Sequence, residues 1–96
     1  MRKGRFAVYI LECADGSFYT GYTNNLKIRL KLHESGKGSK YVRARRPFCL
    51  VYARKFCYYK SAFAEECRIK RLTRKEKDIL VLGHGKVNRK IKRTRK

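Results

Sequence analysis

The segment FAVYILECADGSFYTGY, residues 6–22, restricts the possible folds more than any other part of the chain. Two short runs rich in apolar and aromatic residues flank the link Ala14-Asp15-Gly16, so the segment reads as an antiparallel hairpin. In the first run, Phe6, Val8 and Ile10 alternate with Ala7, Tyr9 and Leu11. Both sets call for burial, which places this strand at the centre of a sheet. The runs carry one mid-strand tyrosine each, Tyr9 and Tyr19. A two-residue turn at Asp15-Gly16 would put the two rings on opposite faces. With all three residues in the loop and Gly16 left-handed, Cys13 faces Ser17 and Tyr19 sits opposite Leu11. Tyr9 and Tyr19 are then diagonal neighbours on one face, roughly 7–8 Å apart.

The remaining elements follow from local signals. Thr23-Asn24-Asn25 offers N-caps for a helix over LKIRLKLHESG, which stops at Gly36 and places Arg29 and His33 one turn apart on one face. GKGSKYVRARRP then reads as a basic loop, and residues 48–56, FCLVYARKF, as a third strand. Ser61 is the expected cap of a second helix over about 61–71. Thr73-Arg74-Lys75-Glu76 is a capping box for a third over about 74–82, closed by Gly83 and Gly85. The order β-β-α-β-α-α predicts an α/β protein of the α+β type, a three-stranded, mainly antiparallel sheet flanked by helices. Residues 1–83 form the expected domain, and residues 84–96 a basic tail expected to be disordered when free.

Charge narrows the partner. The 96-residue chain holds 27 Lys and Arg against 7 acids, a net charge of +20. A polyanion is the simplest counterpart to that self-repelling field, and DNA is the expected partner, with RNA as the alternative. No clear basic amphipathic helix with large exposed apolar residues points to a membrane surface. The apolar run after MRKGRF is too short for a signal peptide. The expectation is a soluble, cytoplasmic protein. Cys13, Cys49, Cys57 and Cys67 lack zinc-type spacing and read as reduced, mostly buried thiols.

Candidate chemistry rests on a few side chains. On a helical projection Ala62, Phe63, Cys67, Ile69 and Leu72 span one arc, with Glu66 near its middle and Glu65 toward its edge. A carboxylate aimed at a core is costly unless it is paired or bound to metal. Taken singly, Glu66 has an ordinary reading as a salt-bridged acid, Arg29 and His33 as a solvated helix face, and the tyrosines as cross-strand packing. Lys37, Lys40, Arg43, Arg45 and Arg46 crowd one loop around Tyr41, a pattern suited to tracking phosphates beside one stacking ring.

Taken together, VYI at 8–10, YTG at 19–21, Arg29, His33 and Glu66 resemble the GIY-YIG nuclease superfamily over residues 6 to about 82. The resemblance is closest to its small stand-alone bacterial domains, through YTGYT, LHESGKGSKYVR and EECRIKRLTRKEK. It implies a sheet flanked by helices and a Mg²⁺-dependent (or Mn²⁺-dependent) endonuclease, in a superfamily that serves DNA repair and recombination among other roles. Tyr9 and Tyr19 match the tyrosines of the two motifs, Arg29 the helix arginine, His33 a position held by His or Tyr, and Glu66 the metal-binding glutamate. Either Tyr19 or His33 then serves as the general base. The sequence departs from the motif at Ala7, Val8 and Thr20, and carries Tyr22 where the excision-repair branch has a lysine. Asn88 lies too far along to match an asparagine that some relatives use. A non-catalytic nucleic-acid-binding module that keeps this fold is the alternative function.

Overall fold

A computed structural model describes residues 3–85. The strands β1 (Lys3–Cys13), β2 (Phe18–Thr23) and β3 (Phe48–Tyr58) form one antiparallel sheet in the order β2-β1-β3, so the doubly apolar run is the central strand. Its two faces meet two separate cores. Val8 and Ile10 pack with Tyr52, Ala62 and Ile69 beneath α3 (Tyr59–Lys70) and α4 (Arg74–Gly85). Tyr9 and Leu11 pack with Val42, Leu26 and Leu30 beneath α1 (Leu26–Ser35) and α2 (Lys40–Arg43). Val8, Ile10 and Leu11 are fully buried, each worth about 1.5–3 kcal/mol by the usual apolar transfer scale. The β-β-α-β-α-α order and the flanked three-stranded sheet are as expected, with one short helix added.

The hairpin uses the three-residue loop. Cys13 N donates to Ser17 O at 2.8 Å, Gly16 N donates to Cys13 O at 2.9 Å, and Gly16 has φ 85°. Asp15 Oδ1 accepts from both Ser17 N and Ser17 Oγ, which ties the loop to the start of β2. Tyr19 consequently pairs with Leu11 and shares a face with Tyr9.

Helix α1 has the expected ends. Asn25 Oδ1 accepts from Ile28 N at 3.1 Å, and Gly36 closes the helix at φ 85°. The capping box before α4 is reciprocal, with Glu76 N donating to Thr73 Oγ1 and Thr73 N to Glu76 Oε1. Other boundaries differ. The basic loop contains α2, capped by Ser39 Oγ and anchored by the fully buried Val42. Helix α3 begins at Tyr59, directly off β3, without a side-chain cap; Ser61 lies inside it, because burial of Ala62 and Ile69 sets where the helix starts. Helix α4 continues through Gly83 to Gly85 instead of stopping there. The basic tail from Lys86 onward, Asn88 included, lies outside the described residues.

Two burial expectations are corrected. All four cysteines are free, but only Cys13 is buried; Cys49 and Cys57 are exposed because β3 is an edge strand that the helices only partly cover. Glu65, expected nearer the edge of the arc, is the more buried acid, with 8% of its surface exposed, while the Glu66 side chain is 13% exposed beside Lys70. The Glu65 carboxylate accepts from Tyr52 Oη at 3.1 Å and from two nitrogens of Arg68 at 2.9 and 2.8 Å. Arg54 approaches to 3.7 Å. Arg68, more than the other neighbours, holds this carboxyl below its ordinary value. One residue further rotates the side chain by about 100°, which gives Glu66 a different partner, Lys70. No helix among the described residues is long and apolar enough to cross a membrane.

Candidate active site

Tyr9 is the centre of the site, and its neighbours are small for a reason. Its sheet partners are Gly21 on β2 and Ala53 on β3, which leave room for the ring. A Cβ on Gly21 would lie 2.8 Å from Tyr9 Oη, so any larger residue would displace the hydroxyl. Tyr19 lies on the same face, with its ring centre 6.4 Å from that of Tyr9. Both rings meet His33 edge-on, at 5.8 and 5.5 Å.

Helix α1 brings Arg29 and His33 onto the tyrosines. His33 is fully buried, and its Nε2 lies 2.8 Å from Tyr9 Oη. Its Nδ1 faces the N–H of Ser39 at 3.4 Å and so acts as the acceptor, which leaves the proton on Nε2 to be donated to Tyr9. The backbone of Gly38 lies against the imidazole so closely that a Cβ there would clash with Nδ1. Arg29 Nε donates to Tyr9 Oη at 3.4 Å. The phenol oxygen thus receives two N–H groups, and its own proton is committed to neither.

The electrostatics agree with this arrangement. Burial raises the pKa of Tyr9 and outweighs the lowering by Arg29, so Tyr9 remains a neutral donor. Burial, followed by the charge of Arg29, lowers the pKa of His33 below its ordinary value and keeps the ring neutral. Hydrogen bonding to Tyr9 raises the pKa of Arg29. Glu66 lies near enough for its charge to contribute to the rise at Tyr9. Its carboxylate is mostly covered and pairs with Lys70 Nζ at 3.1 Å.

Tyr9, Tyr19, Arg29 and His33 are therefore in mutual contact, with Glu66 close by. Two glycines that sequence reasoning passed over, Gly21 and Gly38, make this possible; their signals were the motif YTG and the loop GKGSK. No cluster of three or more His, Cys, Asp or Glu is found among the described residues. The one nearby carboxylate suits a hard ion such as Mg²⁺, which is often held by one or two carboxylates with water and phosphate oxygens. It does not suit zinc, which needs several nitrogen or sulfur ligands.

The basic loop divides into two sets. Arg45 pairs with Asp15 at 3.1 Å and donates to Tyr41 O, while Arg46 donates to Glu34 O and Arg43 O. Lys37, Lys40 and the side chain of Arg43 form no ion pair among the described residues, and all three are exposed. Tyr41 is already engaged: the guanidinium of Arg45 sits 3.8 Å from its ring centre, and Tyr19 stacks on it at 6.0 Å.

Comparison with known proteins agrees with these observations. The GIY-YIG catalytic domain family matches residues 5–78. The chain is 59% identical to the UPF0213 protein OB0043 of Oceanobacillus iheyensis over 74 residues, 77% of this chain and 86% of that protein. It is 51% identical to a UPF0213 protein of Bacillus pumilus over 81 residues, 84% of this chain and 83% of that one. The solution NMR structure of the UPF0213 protein BH0048 from Bacillus halodurans is similar over 80% of this chain and 82% of its own, with 49% identity and a TM-score of 0.55. That of EF2693 from E. faecalis is similar over 99% and 97%, with 34% identity and a TM-score of 0.59. The chain belongs to the GIY-YIG catalytic domain family, part of a nuclease superfamily, and its relatives are the small UPF0213 proteins of bacteria.

Proposed function

We propose that the protein is a divalent-metal-dependent endonuclease that hydrolyses DNA phosphodiester bonds, selecting DNA by structure in repair or recombination. The contact of Tyr9, Tyr19 and Arg29 on one face of the sheet of a +20 chain is the observation that supports this reading. Glu66 would hold Mg²⁺ or Mn²⁺, and the ion when bound supplies charge neutralisation at the phosphate. Arg29 offers its remaining guanidinium N–H groups to phosphate oxygens and stabilises the charge that develops on them. Tyr9, held by His33 and Arg29, would donate its uncommitted O–H to a phosphate oxygen or to the attacking water. That water must lose a proton as its oxygen bonds to phosphorus and the bond from phosphorus to the leaving sugar oxygen breaks, that oxygen taking a proton from solvent. Tyr19 is the better candidate to accept the water's proton, since both nitrogens of the buried His33 are engaged. His33 then acts as a positioning residue. Lys37, Lys40 and Arg43 supply backbone contacts without reading bases.

One observation favours a second reading, a nucleic-acid-binding module without catalysis. The carboxylate of Glu66 is paired with Lys70, and this pair must open before a metal can bind. A cleavage panel of flaps, forks, junctions and plain duplex with Mg²⁺ or Mn²⁺ separates the two. Glu66→Gln and Arg29→Ala are each expected to reduce cleavage by at least about a hundredfold while binding is retained. Tight, salt-sensitive binding with no cleavage of any substrate by the wild-type chain would establish the binding module instead.

A further inference from the structure

Beside Glu66 lies a row of exposed aromatic rings that the proposed chemistry does not use. Tyr59 and Phe63 are one turn apart on α3, and Glu66 follows on the same side of that helix. The two rings are stacked, with centres 5.9 Å apart and planes within 25°. Tyr22 of β2 joins them, its ring centre 5.5 Å from that of Tyr59, and Phe6 supports Tyr59 edge-on at 6.0 Å. Tyr59 and Phe63 leave 46% and 48% of their surface in solvent, and Tyr22 leaves 37%. Phe63 and Glu66 lie three residues apart on α3, so the row adjoins that carboxylate.

We propose that this row is a stacking platform for an unpaired base next to the phosphate bound at Arg29, so that the preferred ligand is DNA with a single-stranded segment. The proposal rests on reading the site as one that acts on nucleic acid. The rings of the row are aromatic, whereas the exposed aliphatic residues Ile79 and Leu82 lie on α4. Aromatic faces accept any base, since every base presents a π-face. A second copy of the chain is a poor occupant, because it would bring another +20 against the first. The negatively charged strand complements that field, and Tyr41, 37% exposed, already has Arg45 over its ring and Tyr19 stacked against it.

The chain contains no tryptophan, so Phe63→Trp introduces a single emitter at the row. The full-length variant is titrated in EDTA with oligothymidine and with an abasic sugar-phosphate strand of equal length, each end-labelled for anisotropy. Quenching by oligothymidine and not by the abasic strand is expected. Oligothymidine should also bind between about fivefold and a hundredfold tighter. The double variant Tyr59→Leu/Phe63→Leu, which keeps apolar bulk for folding, should bind both strands equally. Equal quenching and affinity for both strands in the tryptophan variant would overturn the proposal, as would a thymidine preference that survives in the double leucine variant. Emission that changes with protein concentration before DNA is added, and not with the base content of the strand, would identify a contact between copies and overturn it as well. No step requires catalysis. Cleavage that depends on Glu66 in a chain without base preference overturns only the platform, and base preference in a chain whose cleavage ignores Glu66 overturns only the hydrolase.

Discussion

The hydrogen bond between Tyr9 and His33 ties two buried polar groups that each would be costly alone. Because burial and Arg29 depress the pKa of His33 below its ordinary 6.5 in the folded protein, the unfolded chain binds that proton more readily. Stability from this residue is fully present above pH 6.5 and is lost as the pH falls through the folded-state value. Urea unfolding at a series of pH values is expected to show stability declining just below pH 6.5, above the carboxylate range, and His33→Gln should remove that decline. An unchanged slope in the variant would mean that His33 is not held neutral. The residue identities at this site were legible in the sequence. The direction of each proton was not, since it depends on Ser39 N arriving at Nδ1 from a neighbouring loop.

Helix α3 shows why neighbouring acids exchange roles. Its apolar residues could be read as one arc centred near Glu66, yet the helix is rolled so that Glu65 meets Tyr52, Arg54 and Arg68. That ion pair and hydrogen-bond set gives the buried carboxylate its partners and leaves Glu66 toward the site. Glu65→Leu removes the acceptor that Arg54 and Arg68 share, and is expected to cost about 1–3 kcal/mol in urea unfolding, with Glu65→Gln costing less. A neutral Glu65→Leu would show that apolar packing alone sets the roll of α3. The capping box of α4 and the caps of α1 were readable because they involve residues within a few positions of one another. The start of α3 was not, because no local cap marks it and packing on the sheet decides it.

The whole molecule carries +20 on 96 residues, so its own field opposes compactness. Screening shortens the range of that repulsion from about 30 Å at 0.01 M salt to about 10 Å at 0.1 M. Calorimetry of the free protein is therefore expected to show Tm rising with added NaCl over that range, while its affinity for DNA falls over the same range. A Tm that falls with salt would mean that the ion pairs around Glu65 and Asp15 outweigh the net repulsion. Part of the positive charge is spent internally: Arg45 and Arg46 hold the loop between α1 and β3, which leaves Lys37, Lys40 and Arg43 for a partner.

The sequence by itself determined the hairpin with its three-residue loop, the central position of β1, the caps of α1 and α4 and the family. These rest on side-chain periodicity, turn chemistry and short motifs, all of which act over a few residues. Only the tertiary structure decided that Glu65 is held by Tyr52 and Arg68 and Glu66 by Lys70, that His33 has both nitrogens engaged, that Cys49 and Cys57 face solvent, and that Tyr41 is engaged by Arg45 and Tyr19 while Tyr59 and Phe63 form a separate exposed row. Each of those outcomes depends on which distant surface reaches a side chain. A local pattern fixes what a residue could do, and the packing of the sheet between its two helical layers fixes what it meets.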